Sequence, residues 1–146
     1  MPPAAARLTA LPAPPPPPPP CLLALARQVL SRYDGDWMRS YQQELGTLLQ
    51  QGVRVLIFAG DADFLCNWQG IFKTTTLLKW KGQRQYTSAR KQLWKSEAKG
   101  GSSVLGSRVS AAGLTFLRVF KAGHMVPRDQ PAAAAQLFDD FLHGRV

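Results

Sequence analysis

Apolar positions along the chain fall into two compact β-like runs and two clear helical stripes. Val53 to Ala59, VRVLIFA, carries Arg54 as its one polar residue; seven residues suit a strand and are few for a helix. Val and Ile favour extended backbone, and near-continuous apolar character predicts a strand covered on both faces, as in a parallel sheet. Thr115 to Phe120 repeats the pattern and predicts a second strand. Ahead of the first run, Met38, Tyr41, Leu45, Leu48 and Leu49 recur at helical spacing within Trp37 to Gln51, with Asp36 suited to cap the start and Gly52 the end. After the second run, Leu137, Phe138, Phe141 and Leu142 recur at helical spacing behind Pro131, a residue that fits the first turn of a helix. A helix feeding a buried strand is half of an α/β unit, so the predicted class is α/β.

The interval between the two runs is less patterned. Trp68 to Trp80 reads as a short helix or turn with aromatic anchors. Gln83 to Lys99 is polar and basic, a short exposed helix with Leu93 and Trp94 as its apolar contacts. Gly100 to Gly113, rich in Gly, Ser and Ala, has the composition of a flexible loop or a weak hairpin. The sequence shows no internal repeat and no glycine-rich phosphate loop.

Composition changes this picture at the N-terminus. Residues 1–33 read as a proline- and alanine-rich disordered leader, with seven consecutive prolines from Pro14 to Pro20 that favour polyproline II and bury no core. The folded part is then expected over residues 34–146. Cys21 to Ala26 is apolar but too short for a membrane span, and the proline block stands where a signal peptide's charged and apolar regions would lie. No membrane partner is expected. The 146 residues carry a formal charge of +9 and are 45% hydrophobic, enough for one ordinary core. Between Lys79 and Lys121 there are ten Lys or Arg and one acid, Glu97. Such a stretch can attract nucleic acid, but no recognised nucleic-acid motif accompanies it, and a solvated basic surface is the expectation.

Both β-like runs end at a glycine, after which a catalysis-capable side chain follows at once: Asp63 in GDADFLCNW and His124 in KAGHMVP. In open α/β sheets, chemistry collects at the carboxyl ends of the strands, so Asp63 and His124 are expected on one rim. Glycine at 60 is expected to let the chain turn sharply away from the sheet.

The strings GDADFLCNW and FLRVFKAGHMVPRDQP resemble the C-terminal part of the serine carboxypeptidases, the carboxypeptidase Y and cathepsin A group of the α/β-hydrolase fold. The resemblance runs from about Asp36 to the C-terminus. It implies an incomplete domain, the C-terminal portion of an α/β-hydrolase sheet holding its last two strands with flanking helices. It also implies an activity: release of C-terminal residues from peptides through an acyl-enzyme, with a peptide or protein C-terminus as substrate, in a vacuole or lysosome or after secretion. In such an enzyme a serine attacks, an imidazole takes and returns its proton, and a carboxylate fixes the tautomer, in the chain order nucleophile, acid, histidine. Carried onto this sequence, His124 is the general base and acid and Asp63 its orienting partner, while Asp61 stabilises the turn through backbone hydrogen bonds. Cys66 matches an unpaired cysteine near the substrate pocket, and Met125 borders the pocket for the peptide's last residue. His143, the other histidine, has a ready role at a helix C-terminus.

The departure from the family pattern is the nucleophile. None of Ser102, Ser103, Ser107 and Ser110 sits in Gly-x-Ser-x-Gly, so the 146 residues are expected to be inactive alone, and a second chain could supply the rest. Two other readings stand beside this one: a non-catalytic remnant or interaction module offering a sheet edge, and a basic nucleic-acid binder. Cofactors are not expected. Two histidines and two cysteines without ligand spacing argue against zinc, and two cysteines are too few for a disulfide framework. Asp139 and Asp140, adjacent on a helix, are expected to point apart rather than act as a pair.

Overall fold

The structure, a computed structural model, describes residues 20–37, 39–96 and 103–146. The leader up to residue 19, Met38, Glu97 and Ser102 therefore lie outside the described residues. The chain divides into two compact units, Met1–Arg39 and Ser40–Val146. In the first, Pro20–Trp37 forms helix α1, so the part of the expected leader from Pro20 onward is helical, and Asp36 lies inside this helix instead of capping the next. Its Leu25, Val29, Leu30 and Tyr33 are each more than half exposed. No helix among the described residues is long and apolar enough to cross a membrane.

The second unit opens with α2, Gln42–Gln50, which is shorter than the expected Trp37 to Gln51 helix. Its end is as expected: Gly52 takes φ +84°, the Gly52 N–H donates to Leu49 O and the Val53 N–H to Leu48 O, closing the last turn. Strand β1, Val55–Gly60, follows directly. Then come α3, Trp68–Leu77, capped by the Asn67 side chain on the Gly70 N–H, and the short α4, Gln83–Thr87. Two unexpected strands, β2 at Gln92–Lys95 and β3 at Val104–Ala111, precede β4 at Leu114–Val119. The chain closes with α5, Val126–Asp129, and α6, Pro131–Leu142.

The four strands form one sheet in the order β1-β4-β3-β2, in which β1 and β4 are parallel and the other neighbours antiparallel. The expectation of two strands is thus corrected to four, although the α/β class holds. The β3–β4 connection is a two-residue turn, Ala112–Gly113, with φ of 51° and 85°. Positive φ at both central residues is the hairpin geometry that matches strand twist, and it makes a tight hairpin of what composition left as loop or hairpin. Strand β1 lies at the sheet edge among the described residues, so Val55 to Phe58 are half-buried, not covered on all sides as predicted.

Helices cover both faces because β4 alternates. Leu114 and Phe116 point into a cluster with Leu49, Leu78, Trp80, Tyr86 and Val109, against α2, α3 and α4. Leu117 and Val119 point into the opposite cluster with Trp94, Ala122, Val126, Ala133 and Leu137, against α5 and α6. Leu114, Leu117 and Val119 are completely buried, each contributing about 1.5–3 kcal/mol relative to exposure. Ile57 and Leu56 of β1 divide between the same two clusters, which fixes register, since a one-residue slip would turn every side chain to the wrong face.

Asp140 on α6 ties the second cluster to the chain end. Its buried carboxylate accepts from Trp94 Nε1 at 2.9 Å and from Arg145 Nε at 2.9 Å. Burial pushes this carboxyl up, but the hydrogen bonds from Trp94, Arg145 and Gln136 outweigh it and hold it below its ordinary value. Asp139, expected to point apart from Asp140, instead converges with it on the Arg145 guanidinium, and also meets His143 at 3.2 Å. Asp140→Ala leaves buried donors unpaired and is expected to destabilise the chain by about 2 kcal/mol, measured by urea unfolding. A depressed folded pKa contributes stability above the unfolded value of about 3.9 and loses it as pH falls through the folded value, so the deficit should shrink on acidification.

Candidate active site

Parallel pairing aligns Gly60 with Val119, so β1 and β4 deliver their following loops to one rim. These loops are stitched by backbone: the Asp61 N–H donates to Val119 O and the Ala62 N–H to Ala122 O, each at 2.9 Å. Gly60 is essential here for a reason the sequence did not show. Its φ is not in the positive region; a methyl group on it would stand 2.2 Å from Ala122 O and 2.3 Å from Gly123 O. The glycine is where the two loops touch.

Asp61 works across the loops and not within its own turn. Its Oδ1 accepts from the Lys121 N–H at 2.8 Å, where Lys121 takes φ 57°, and its Oδ2 lies 3.5 Å from the Arg118 guanidinium. Arg118 in turn stacks 4.1 Å above the Trp68 ring and 5.1 Å from Phe120. Lys91 also lies over Trp68, so part of the basic stretch is spent on aromatic faces. The histidine loop closes on itself through α5: Asp129 Oδ2 accepts from the Gly123 N–H at 2.7 Å, and Gln130 Nε2 donates to Lys121 O at 3.1 Å. Asp129 and Gln130 were not picked out in the sequence. The available signal was Pro127 opening a short helical turn that ends in an acid facing back along the loop.

This framework sets Asp63 against His124. Asp63 Oδ2 lies 2.8 Å from His124 Nδ1, and its Oδ1 accepts from the Cys66 N–H at 3.0 Å. The Asp63 side chain is only 7% exposed, while His124 is 65% exposed. Hydrogen bonds from His124 and from the Cys66 backbone hold the Asp63 carboxyl below its ordinary value, so it stays an anion beside the ring. An anion on Nδ1 keeps the proton there and leaves Nε2 as the basic nitrogen. No described residue hydrogen-bonds to Nε2, and no described serine reaches His124. Of the four candidate serines, Ser107 is buried in the sheet and Ser110 bonds Thr115 at 2.7 Å; both are structural.

The pair resides at the end of a parallel β1–β4 couple, in the chain order acid then histidine. A family model described as serine carboxypeptidase matches residues 24–144. The chain belongs to the serine carboxypeptidase family. The match begins before Asp36 and takes in most of α1. Among curated relatives, carboxypeptidase Y homolog A of Ajellomyces capsulatus (strain NAm1 / WU24) is 40% identical over 124 residues, covering 85% of this chain and 22% of the relative. Carboxypeptidase Y of Candida albicans is 41% identical over 112 residues, covering 77% of this chain and 20% of the relative. A crystal structure of Kex1(delta)p, a prohormone-processing carboxypeptidase of Saccharomyces cerevisiae, superposes with a TM-score of 0.62 at 28% identity, over 72% of this chain and 22% of that one. The chain spans about a fifth of the length of these family members.

Cys66 and Met125 flank the pair. Cys66 is a free, exposed thiol on the Asp63 loop, and Met125, beside His124, is 58% exposed. The expectation that no metal site forms rested on spacing along the sequence; folding brings Asp63, Cys66 and His124 together, each with a ligand atom within 4.8 Å of the others.

Proposed function

We propose that this chain carries the acid and the histidine of a serine-type carboxypeptidase, with Asp63 orienting His124 and His124 serving as general base and acid. The observation that supports this reading is the 2.8 Å contact between Asp63 Oδ2 and His124 Nδ1 on the shared rim of β1 and β4. His124 Nε2 would take the proton of a serine hydroxyl during attack on the peptide carbonyl and hand it to the leaving amine. Cys66 and Met125, on either side, would border the place of the substrate's last residue. The substrate class is a peptide or protein with a free C-terminus, and no cofactor takes part. The setting implied by this reading is a vacuole or lysosome, or the outside of the cell.

The nucleophile, in this reading, comes from a segment that adds strands along the open edge of β1. The 146 residues contain no Gly-x-Ser-x-Gly, so alone they should not react with a serine-directed fluorophosphonate. The test is a chimera in which Ser40 to Val146 replaces the matching segment of Candida albicans carboxypeptidase Y. Stoichiometric labelling of the chimera, and none of the isolated chain, is the expected result. Labelling of the isolated chain would contradict the proposal, as would a folded chimera that neither labels nor releases C-terminal residues; the latter would favour a non-catalytic remnant.

A further inference from the structure

The site joins a carboxylate, a thiol and an imidazole from two loops that meet only in the folded chain. We propose that Asp63, Cys66 and His124 form a binding site for a divalent cation of the zinc class, seated where the proton between Asp63 and His124 now lies. Thiolate, imidazole and carboxylate are the donors such an ion takes, and a set containing sulfur and nitrogen discriminates against magnesium and calcium.

The geometry is close to what an ion would impose. With metal–sulfur bonds of about 2.3 Å and metal–nitrogen bonds of about 2.0 Å, a tetrahedral ion holds its donors about 3.3–3.6 Å apart. The three donors lie within 4.8 Å of one another, and one pair, Asp63 and His124, is already at 2.8 Å. Closing the site takes about 1 Å of approach by the Cys66 side chain and about 0.5 Å of separation between Asp63 and His124. Cys66 can supply that approach, because it follows Phe64 and Leu65, which are 96% and 83% exposed and so restrain the loop little by packing. The exposed face of His124 leaves the fourth position open to water, the arrangement of a three-ligand site with one vacancy.

Binding displaces the thiol proton to solvent and shifts the imidazole proton from Nδ1 to Nε2, which frees the Nδ1 lone pair for the ion. The cation and a proton relay then compete for the same two side chains, so in a catalytically complete protein the ion would silence the site. Only this last consequence rests on the hydrolase reading; the site itself does not.

The test uses the full chain carrying Cys21→Ser, which leaves Cys66 as its one thiol. Zinc binding is followed by calorimetry, and cobalt binding by the sulfur-to-metal charge-transfer absorption. One equivalent should bind with a charge-transfer band, and Cys66→Ser and His124→Ala should each weaken binding at least tenfold, while magnesium should not compete. Undiminished binding in both variants would overturn the proposal and place the ion elsewhere, for example at His143 and Asp139, which are 3.2 Å apart. A control needing no further substitution is alkylation of Cys66: zinc should slow it at least tenfold, and an unchanged rate would overturn the proposal whether or not the variants fold. Neither readout requires hydrolytic activity, so failure here and failure of the carboxypeptidase reading are separate results.

Discussion

In the carboxypeptidase Y chimera, His124→Ala is expected to lower kcat/KM for release of a C-terminal residue by about ten-thousand-fold or more. The physical basis is that, among the described residues, His124 Nε2 has no hydrogen-bond partner and is open to accept a proton, since Nδ1 is committed to Asp63 at 2.8 Å. Without the ring the serine hydroxyl must ionise unaided. Asp63→Asn should approach the same loss by another route, because an amide can donate to Nδ1 and so move the ring proton to Nε2, where no base then remains. KM should change much less than kcat in both. Chimeras that keep more than a tenth of the parent activity with either substitution would remove both side chains from the mechanism.

Gly60→Ala is expected to cost about 3 kcal/mol in urea unfolding of the full chain. The atoms it would meet, Ala122 O at 2.2 Å and Gly123 O at 2.3 Å, belong to backbone and cannot rotate away. Relief requires the histidine loop to move, which breaks the Ala62–Ala122 hydrogen bond and parts His124 from Asp63. Unfolding midpoint and the His124 ring resonances should therefore shift together. Gly35→Ala is the control: nothing lies within 4 Å of its new methyl, and in a helix alanine is favoured by about 1 kcal/mol. Equal effects from the two substitutions would show that the contact at Gly60 is relieved without cost.

The legible parts of the sequence were those where one physical signal dominates. Near-continuous apolar runs marked β1 and β4, and a proline ahead of a 3.6-period stripe marked α6. The meeting of Asp63 and His124 on one rim was legible because each follows such a run within a distinctive string. Strands β2 and β3 were not. In β2 only Trp94 is buried, and in β3 the covered positions include Gly106 and Ser107, so alternation of burial is not alternation of hydrophobicity. Gly106 is there because Arg118 O would stand 2.1 Å from any added methyl, a tertiary constraint with no local trace. Helix α1 was hidden because the proline block ahead of it marked residues 1–33 as a disordered leader, and the start of α2 was placed too early, at Trp37, because Tyr41 continues the stripe of the leucines after it. The cluster of Asp63, Cys66 and His124 could not be read from spacing, since its members come from loops on non-consecutive strands.

The pairing of β1 with β4 also sets an order of events during synthesis. Strand β1 and Asp63 leave the ribosome about sixty residues ahead of the strand they must join, a separation that makes this contact slow relative to local ones. The β3–β4 hairpin can close through its two-residue turn in about 1–10 μs once both arms are out. Strand β1 must wait for it, and the imidazole reaches the carboxylate only after β4 and the loop behind it have emerged. A nascent chain therefore holds Asp63 and His124 apart until the second of the two parallel strands is free to pair.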